Sequence, residues 1–284
     1  MSKVWFITGA TRGIGAALAR AVLAAGNSVI ATGRKVEAVE QALGVSERLL
    51  AVALDVTRPG QPEAAAKAAV ERFGRIDVLV NNAGYGLIGA LEECSAEELA
   101  RQFATNVFGL AAVTRAVLPT MRAQRSGHIF NVSSAAGIAG FPGASSYCAT
   151  KFAVEGLSES LALEVAPLGI HVTLMEPGYF RTDFLTDNSA VYAEKVIEDY
   201  DATAGEMRRG SRKMNGNQSG DPHKLAQAFL TLAAAKTPPL HFVAGSDSVE
   251  LLEHMLATRQ QELRTWRDLA LSLAHDDAPA GAPR

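Results

Sequence analysis

The stretch that most constrains the fold lies near the start, where Val4-Trp5-Phe6-Ile7 runs straight into Thr8-Gly9-Ala10-Thr11-Arg12-Gly13-Ile14-Gly15. A short, continuously apolar run reads as a strand buried on both faces, the signature of a parallel sheet covered by helices. After the turn, Ile14, Leu18, Val22 and Leu23 recur at helical spacing until Gly26 closes the helix. In that order the glycine turn becomes a phosphate site. Glycines let the backbone approach a pyrophosphate, and the helix start offers free N–H groups and a positive dipole end.

The same rhythm continues down the chain. Apolar runs at Ser28–Thr32, Leu49–Leu54, Ile76–Val80, Ile129–Val132, Ile170–Met175 and Leu240–Ala244 supply six further strands, and helical patterns such as Gln61–Phe73 lie between them. Strands alternating with helices at this spacing predict an α/β fold with a doubly wound parallel sheet. Residues at the strand ends then border the ligand crevice, among them Asp55, Val56 and Asn81-Asn82-Ala83-Gly84. The last four also suit a simple turn. Where an acid would bond a ribose 2′-hydroxyl, the chain has Gly33-Arg34, and Arg12 stands in the glycine loop. That pair favours NADP(H), with NAD(H) possible, against the alternative of two solvated arginines.

Composition narrows the classes. A 284-residue chain with 48% hydrophobic residues and a net charge of −3 has no basic field for nucleic acid or an anionic membrane. Cys94 and Cys148 lie far apart without metal-ligand spacing, so no metal is expected. No leader-like pattern and no membrane-length apolar run is visible, and a cytoplasmic setting is the expectation. One domain over residues 1–275 is expected, with a substrate lid at 179–220, a final helix at 247–273 striped by Val249, Leu252, Leu256, Leu263, Trp266, Ala270 and Leu273, and a disordered tail at 276–284. The basic run Arg208-Arg209-Gly210-Ser211-Arg212-Lys213 is either solvated or binds an anionic substrate tail.

Tyr147-Cys148-Ala149-Thr150-Lys151 places a phenol and an ammonium on one helix face. A fixed cation beside a phenol lowers its pKa, so the pair can act as a general acid and base; the alternative is a surface tyrosine lying along a lysine stem. Ser133-Ser134 ends the fifth strand, either to satisfy backbone groups or to share that site. Asn106 falls inside a helical pattern running from Ala96 to about Met121, where asparagine is unfavourable unless exposed or given a role.

Taken in order, Thr8-Gly9-x-x-x-Gly13-x-Gly15, Asn81-Asn82-Ala83-Gly84, Asn106, Ser134, Tyr147-x-x-x-Lys151 and Pro177-Gly178 resemble the short-chain dehydrogenase/reductase family over about residues 3–245. The glycine spacing is similar to that of its shorter, single-domain subfamily. The resemblance implies a Rossmann domain with a seven-stranded parallel sheet flanked by helices, here with a C-terminal helical extension. It implies Tyr147 as general acid or base, Lys151 lowering the tyrosine pKa and bonding the nicotinamide ribose, Ser134 holding the substrate oxygen and Asn106 holding a relay water. It further implies contacts to the dinucleotide from Gly9, Thr11, Arg12, Gly13, Ile14, Gly15, Arg34, Asp55, Val56, Asn82, Ala83, Gly84, Tyr147, Lys151, Pro177, Gly178 and Thr182, with Asn81 toward the adenosine ribose. A homodimer or homotetramer is expected by the same resemblance. The activity so implied is a carbonyl reductase or alcohol dehydrogenase acting on CH–OH with NADP as acceptor. An apolar ketone, aldehyde or secondary alcohol is expected, because Tyr85, Leu87, Ile88, Ile138, Phe141, Pro142, Tyr179, Phe180 and Phe184 fall in three segments that should line one pocket. Two alternatives stay open: reduction of a carrier-bound 3-ketoacyl group, and a silent dinucleotide sensor.

Overall fold

A computed structural model describes residues 2–186 and 189–275; the tail expected at 276–284 lies outside them. Seven strands form one parallel sheet: β1 (Val4–Ile7), β2 (Ser28–Gly33), β3 (Leu49–Ala53), β4 (Val78–Asn81), β6 (Gly127–Val132), β7 (Ile170–Pro177) and β9 (His241–Ala244). Their order is β3-β2-β1-β4-β6-β7-β9. The order reverses direction between β1 and β4, and ligands of such sheets bind outside the strand ends at that switch point. The strands are where the apolar runs place them. Trp5, Phe6 and Ile7 are almost fully buried because helices cover both faces, which is why β1 carries no polar alternation.

On one face α1 (Gly13–Ala24) and α9 (Pro222–Ala234) pack together, and Leu18, Val22, Leu225 and Phe229 form a core with Trp5, Ile7 and Phe130. On the other, α3 (Gln61–Phe73), α5 (Leu110–Gln124) and α7 (Ser145–Val165) close over Phe6, Leu79 and Ile129. Burying each such side chain contributes about 1.5–3 kcal/mol. A helix not read in the sequence, α2 (Val36–Leu43), follows β2.

Two findings depart from the sequence reading. The helix expected over 96–121 is broken into α4 (Ala96–Phe103), a π-helical segment Ala104–Gly109, and α5. Asn106 sits in the π segment and is buried, so its place in mid-helix is neither exposed nor regular. Within 179–220, Ala190–Tyr192 forms a short strand, β8, paired in parallel with β5 (Gly86–Ile88), and α8 (Glu206–Met214) follows. The fourth strand is also shifted slightly, β4 running over Val78–Asn81 rather than Ile76–Val80. A final helix, α10 (Ser246–Leu271), leaves the sheet after β9. No helix among the described residues is long and apolar enough to cross a membrane.

Candidate active site

The glycine turn and the Asn81-Asn82-Ala83-Gly84 turn leave adjacent strands and are sewn together. Thr8 Oγ1 accepts from the backbone N–H groups of Asn82 and Ala83 at 2.9 and 3.0 Å. Asn82 Nδ2 donates back to the carbonyls of Thr8 and Gly9 at 2.9 and 3.0 Å. Gly9 has φ of 65°, in the left-handed region, and a side chain there would press on Ala83. Gly15 is squeezed harder, since a Cβ would stand 2.4 Å from the Gly9 carbonyl oxygen and 2.6 Å from Asn82 Nδ2. The first turn of α1 carries no acidic residue and Arg12 supplies no side-chain cap, so its N–H groups and dipole are left to an outside anion. These residues fit a dinucleotide pyrophosphate.

Around that turn, Thr182 sits against Gly13 and accepts from Phe184 N–H at 3.2 Å. Pro177 ends β7, and Gly178 N–H donates to Ala244 at 2.9 Å. Arg12 and Arg34 are exposed at the outer side, where Arg34 faces Asp55. Thr57 bonds, aided by Arg58 and Arg34, hold Asp55 below the usual carboxylate range. Val56 is buried against Gly109. Asn81 is a correction. Its Nδ2 donates to Thr114 Oγ1 and Asn131 Oδ1, both at 2.9 Å, and it is buried, so this side chain ties β4 to α5 and β6 rather than reaching a ribose.

Ser134, Tyr147 and Lys151 meet at the end of β6. Ser134 caps the short helix α6 (Ala135–Ile138) and bonds the Tyr147 phenol. Lys151 Nζ lies 5.6 Å from the Tyr147 ring centroid and donates to the Val132 carbonyl at 2.7 Å. The lowering of the phenol pKa expected from Lys151 is not found. Burial raises it, and the Ser134 hydrogen bond pulls the other way. Burial also pushes Lys151 down to about 8, opposed by the nearby Glu155. Asn106 Nδ2 donates to the Tyr85 carbonyl at 2.9 Å and to Thr150 Oγ1 at 3.1 Å, and its Oδ1 accepts from Tyr85 N–H at 3.1 Å. Its amide thus locks the Gly84–Tyr85 loop to α7.

The expected apolar lining is corrected in part. Phe184 lies 5.9 Å from Tyr147, centroid to centroid, and Phe141 packs beside Tyr147. Leu87 is fully buried in β5 and so lines no open pocket, while Phe180, half-buried, packs against the main core. The basic run is also largely engaged within the molecule. Arg208 pairs with buried Glu93 at 2.6 Å, Arg209 with Asp201 at 2.6 Å, and Arg212 lies 4.8 Å over the Tyr192 ring.

Sequence reasoning missed a polar cluster behind Lys151. Glu155, one turn along α7, is buried and its carboxyl is pushed up to about 7, chiefly by desolvation and against the Ser133 hydrogen bond. Next to it, His241 Nδ1 is hydrogen-bonded to Glu176 Oε1 at 2.8 Å, and Glu159 lies 3.7 Å from His241 Nε2. The i, i+4 step from Lys151 was the available signal.

Residues 3–192 match the family model for short chain dehydrogenases. The chain belongs to the short-chain dehydrogenase family. This family member is 43% identical to Oxidoreductase BOA17 of Botryotinia fuckeliana over 96% of its own length and 100% of that protein. It is 38% identical to the 3-ketodihydrosphingosine reductase of Bacteroides thetaiotaomicron, over 86% and 88% of the two chains. A short-chain dehydrogenase from Streptomyces avermitilis superposes with a TM-score of 0.89 at 40% identity, over 96% of this chain and 100% of the other. Two more distant structures hold cofactors: a 3-ketoacyl-(acyl-carrier-protein) reductase from Brucella melitensis with NADH (TM-score 0.70, 30% identity, 85% and 95% covered) and an alcohol dehydrogenase from Thermococcus sibiricus with 5-hydroxy-NADP (0.70, 26%, 86% and 96%). The chain is thus an NAD(P)H-dependent oxidoreductase of the short-chain dehydrogenase type, acting on a carbonyl or alcohol.

Proposed function

We propose that this dehydrogenase reduces an apolar ketone, preferring NADPH, with Tyr147 as the proton donor. The observation that carries the reading is the convergence of Ser134, Tyr147 and Lys151 at the end of β6, beside a glycine turn fitted to a pyrophosphate. The dinucleotide supplies hydride to the carbonyl carbon when bound. The chain's residues manage the oxygen. Ser134 Oγ donates a hydrogen bond to it and so polarises the carbonyl. Tyr147 Oη then gives its proton to the same oxygen as negative charge develops there, leaving a phenolate beside the Lys151 ammonium. A phenol pKa held up by burial keeps that proton in place at neutral pH, which suits reduction. Asn106 positions the Tyr85 loop and, through the backbone of its π segment, is the candidate holder of a relay water.

Gly33-Arg34 in place of an acid, with Arg12 close by in the loop, supports selection of the 2′-phosphate, and the NADP derivative in the Thermococcus relative accords with it. Phe184, Phe141 and Tyr179 near Tyr147 support an apolar substrate, as does the 3-ketodihydrosphingosine in the name of the Bacteroides relative. An acidic carrier is less well served, because Arg208, Arg209 and Arg212 are engaged internally. Turnover of NADPH with a panel of lipophilic and small charged carbonyls tests the reading, with Tyr147→Phe as the paired variant. The variant should bind NADPH normally and lose turnover by several orders of magnitude. Better turnover of small charged substrates, or an active Tyr147→Phe, would overturn it.

A further inference from the structure

Helix α10 starts on the body and ends in solvent. Ser248 is buried and Leu251, Leu252, Met255 and Thr258 are half-buried where the helix leaves α6 and β9. Every residue from Arg259 to Leu271 is exposed. That is about 20 Å of helix at 1.5 Å per residue. Along it Leu263, Trp266, Leu269 and Leu271 are each more than half exposed, as is Leu256 just before. Soluble proteins rarely leave so much contiguous apolar surface uncovered, and a helix without tertiary support is marginal in water.

The spacing says what kind of cover is missing. Val249, Leu252, Leu256, Leu263, Trp266 and Ala270 alternate steps of three and four residues once Arg259 is counted in the series. This is the 3.5-residue repeat of a helix that pairs with another helix, held over more than three heptads. We propose that α10 pairs antiparallel with α10 of a second copy of this chain.

Charge decides both the partner and the direction. A parallel pair in register would stack Arg259 on Arg259 within the seam. An antiparallel pair centred near Gln261 sets Leu256 against Trp266 of the second copy, Leu252 against Ala270, and Arg259 against Leu263. On the flanks it sets Glu253 against Arg267 and Met255 against Leu269, each twice by symmetry, and it brings Arg259 beside the two central Glu262 carboxylates. Glu253 in the first half of the helix thereby meets Arg267 of the second half, while Asp247 at the helix start accepts from the Tyr179 N–H of its own chain at 2.7 Å. Two other covers fit less well. Residues 276–284, Asp-Asp-Ala-Pro-Ala-Gly-Ala-Pro-Arg, bring no large apolar side chain. A lipid surface would meet five carboxylates against three arginines on this helix, the wrong balance for anionic lipid.

Sedimentation equilibrium on the full chain tests the pairing. In Leu263→Glu/Trp266→Glu, at exposed sites that leave the core intact, the particle mass should halve while NADPH binding and helical circular dichroism stay unchanged; an unchanged mass would overturn the proposal. Glu253→Arg should raise the dissociation constant about tenfold, since two exposed ion pairs become like-charged. Adding Arg267→Glu to the same chain should restore it, because the swapped charges again oppose; absence of rescue would remove the antiparallel register. Removing residues 276–284 should leave the mass unchanged, and stronger association on their removal would assign the stripe to the chain's own end. Binding of the parent protein to phosphatidylserine vesicles, abolished by Leu263→Glu/Trp266→Glu, would assign it to lipid and overturn the pairing.

Discussion

Replacing Glu155 by glutamine should make the protein more stable at pH 8 and barely change it at pH 5. Glu155 is only 8% exposed, and its carboxyl is raised from 4.5 to about 7, so the folded state resists its ionisation. A carboxyl whose folded pKa exceeds its unfolded one contributes fully below the unfolded value, and that contribution is lost as pH rises through the folded value. The window is therefore about pH 4.5 to 7, and the loss between pH 5 and pH 8 is roughly 3 kcal/mol at about 1.4 kcal/mol per tenfold change in proton affinity. Glutamine keeps the shape and cannot ionise, so the difference between variant and parent should open by that amount across the window. Lys151, pushed down to about 8, acts in the other direction and above it, where stability rises with pH, so the two windows separate. Urea unfolding at pH 5, 6, 7 and 8 measures the difference. A gap between variant and parent that does not change with pH would refute the reasoning. The groups facing Glu155 are Lys151 and Glu159 on its own helix, Ser133, Glu176 and His241, and none of these is altered by the substitution.

Gly15→Ala should retain its circular dichroism and bind NADPH at least tenfold more weakly by calorimetry, because its Cβ at 2.4 Å from the Gly9 oxygen forces the loop open. Arg208→Met should cost about 3–5 kcal/mol in urea unfolding, since it strands Glu93, whose side chain is fully buried. In the parent, Arg208 holds Glu93 down to about 2, so that pair's contribution is present above the usual carboxylate range and lost as pH falls through about 2. Arg34→Asp should reverse the NADPH over NADH ratio in kcat/KM, an outcome that fails if the arginine is merely solvated.

The sheet was legible because each buried strand is a continuous apolar run and each run stops at glycine or a polar cluster, as at Ile7-Thr8-Gly9 and Val80-Asn81-Asn82. The helix pattern from Ala96 onward was legible as helix and illegible as two helices, because a π turn inserts one residue without disturbing which side is apolar. The β5–β8 ribbon joins three-residue strands about a hundred positions apart, too short for alternation to announce them. Arg208 looked solvated because Glu93, its partner, lies 115 residues away in sequence. Asn81 and Asn82 are neighbours of one type, and only the pleat decides that the first turns into the core and the second onto the glycine turn.

The Thr8–Asn82 stitching divides the labour of this site. Both loops it joins belong to strands at the centre of the sheet, whereas Tyr179, Phe184 and α8 come from a segment that leaves β7 and returns through α9. One side of the cleft is bolted to the scaffold and the other is pinned to it at a few points, β8 on β5 and Arg208 on Glu93. Selection on substrate can therefore rewrite most of the second side, but a designer who grafts that segment from a relative must keep Thr182 against Gly13 and carry β5 and Glu93 along with it.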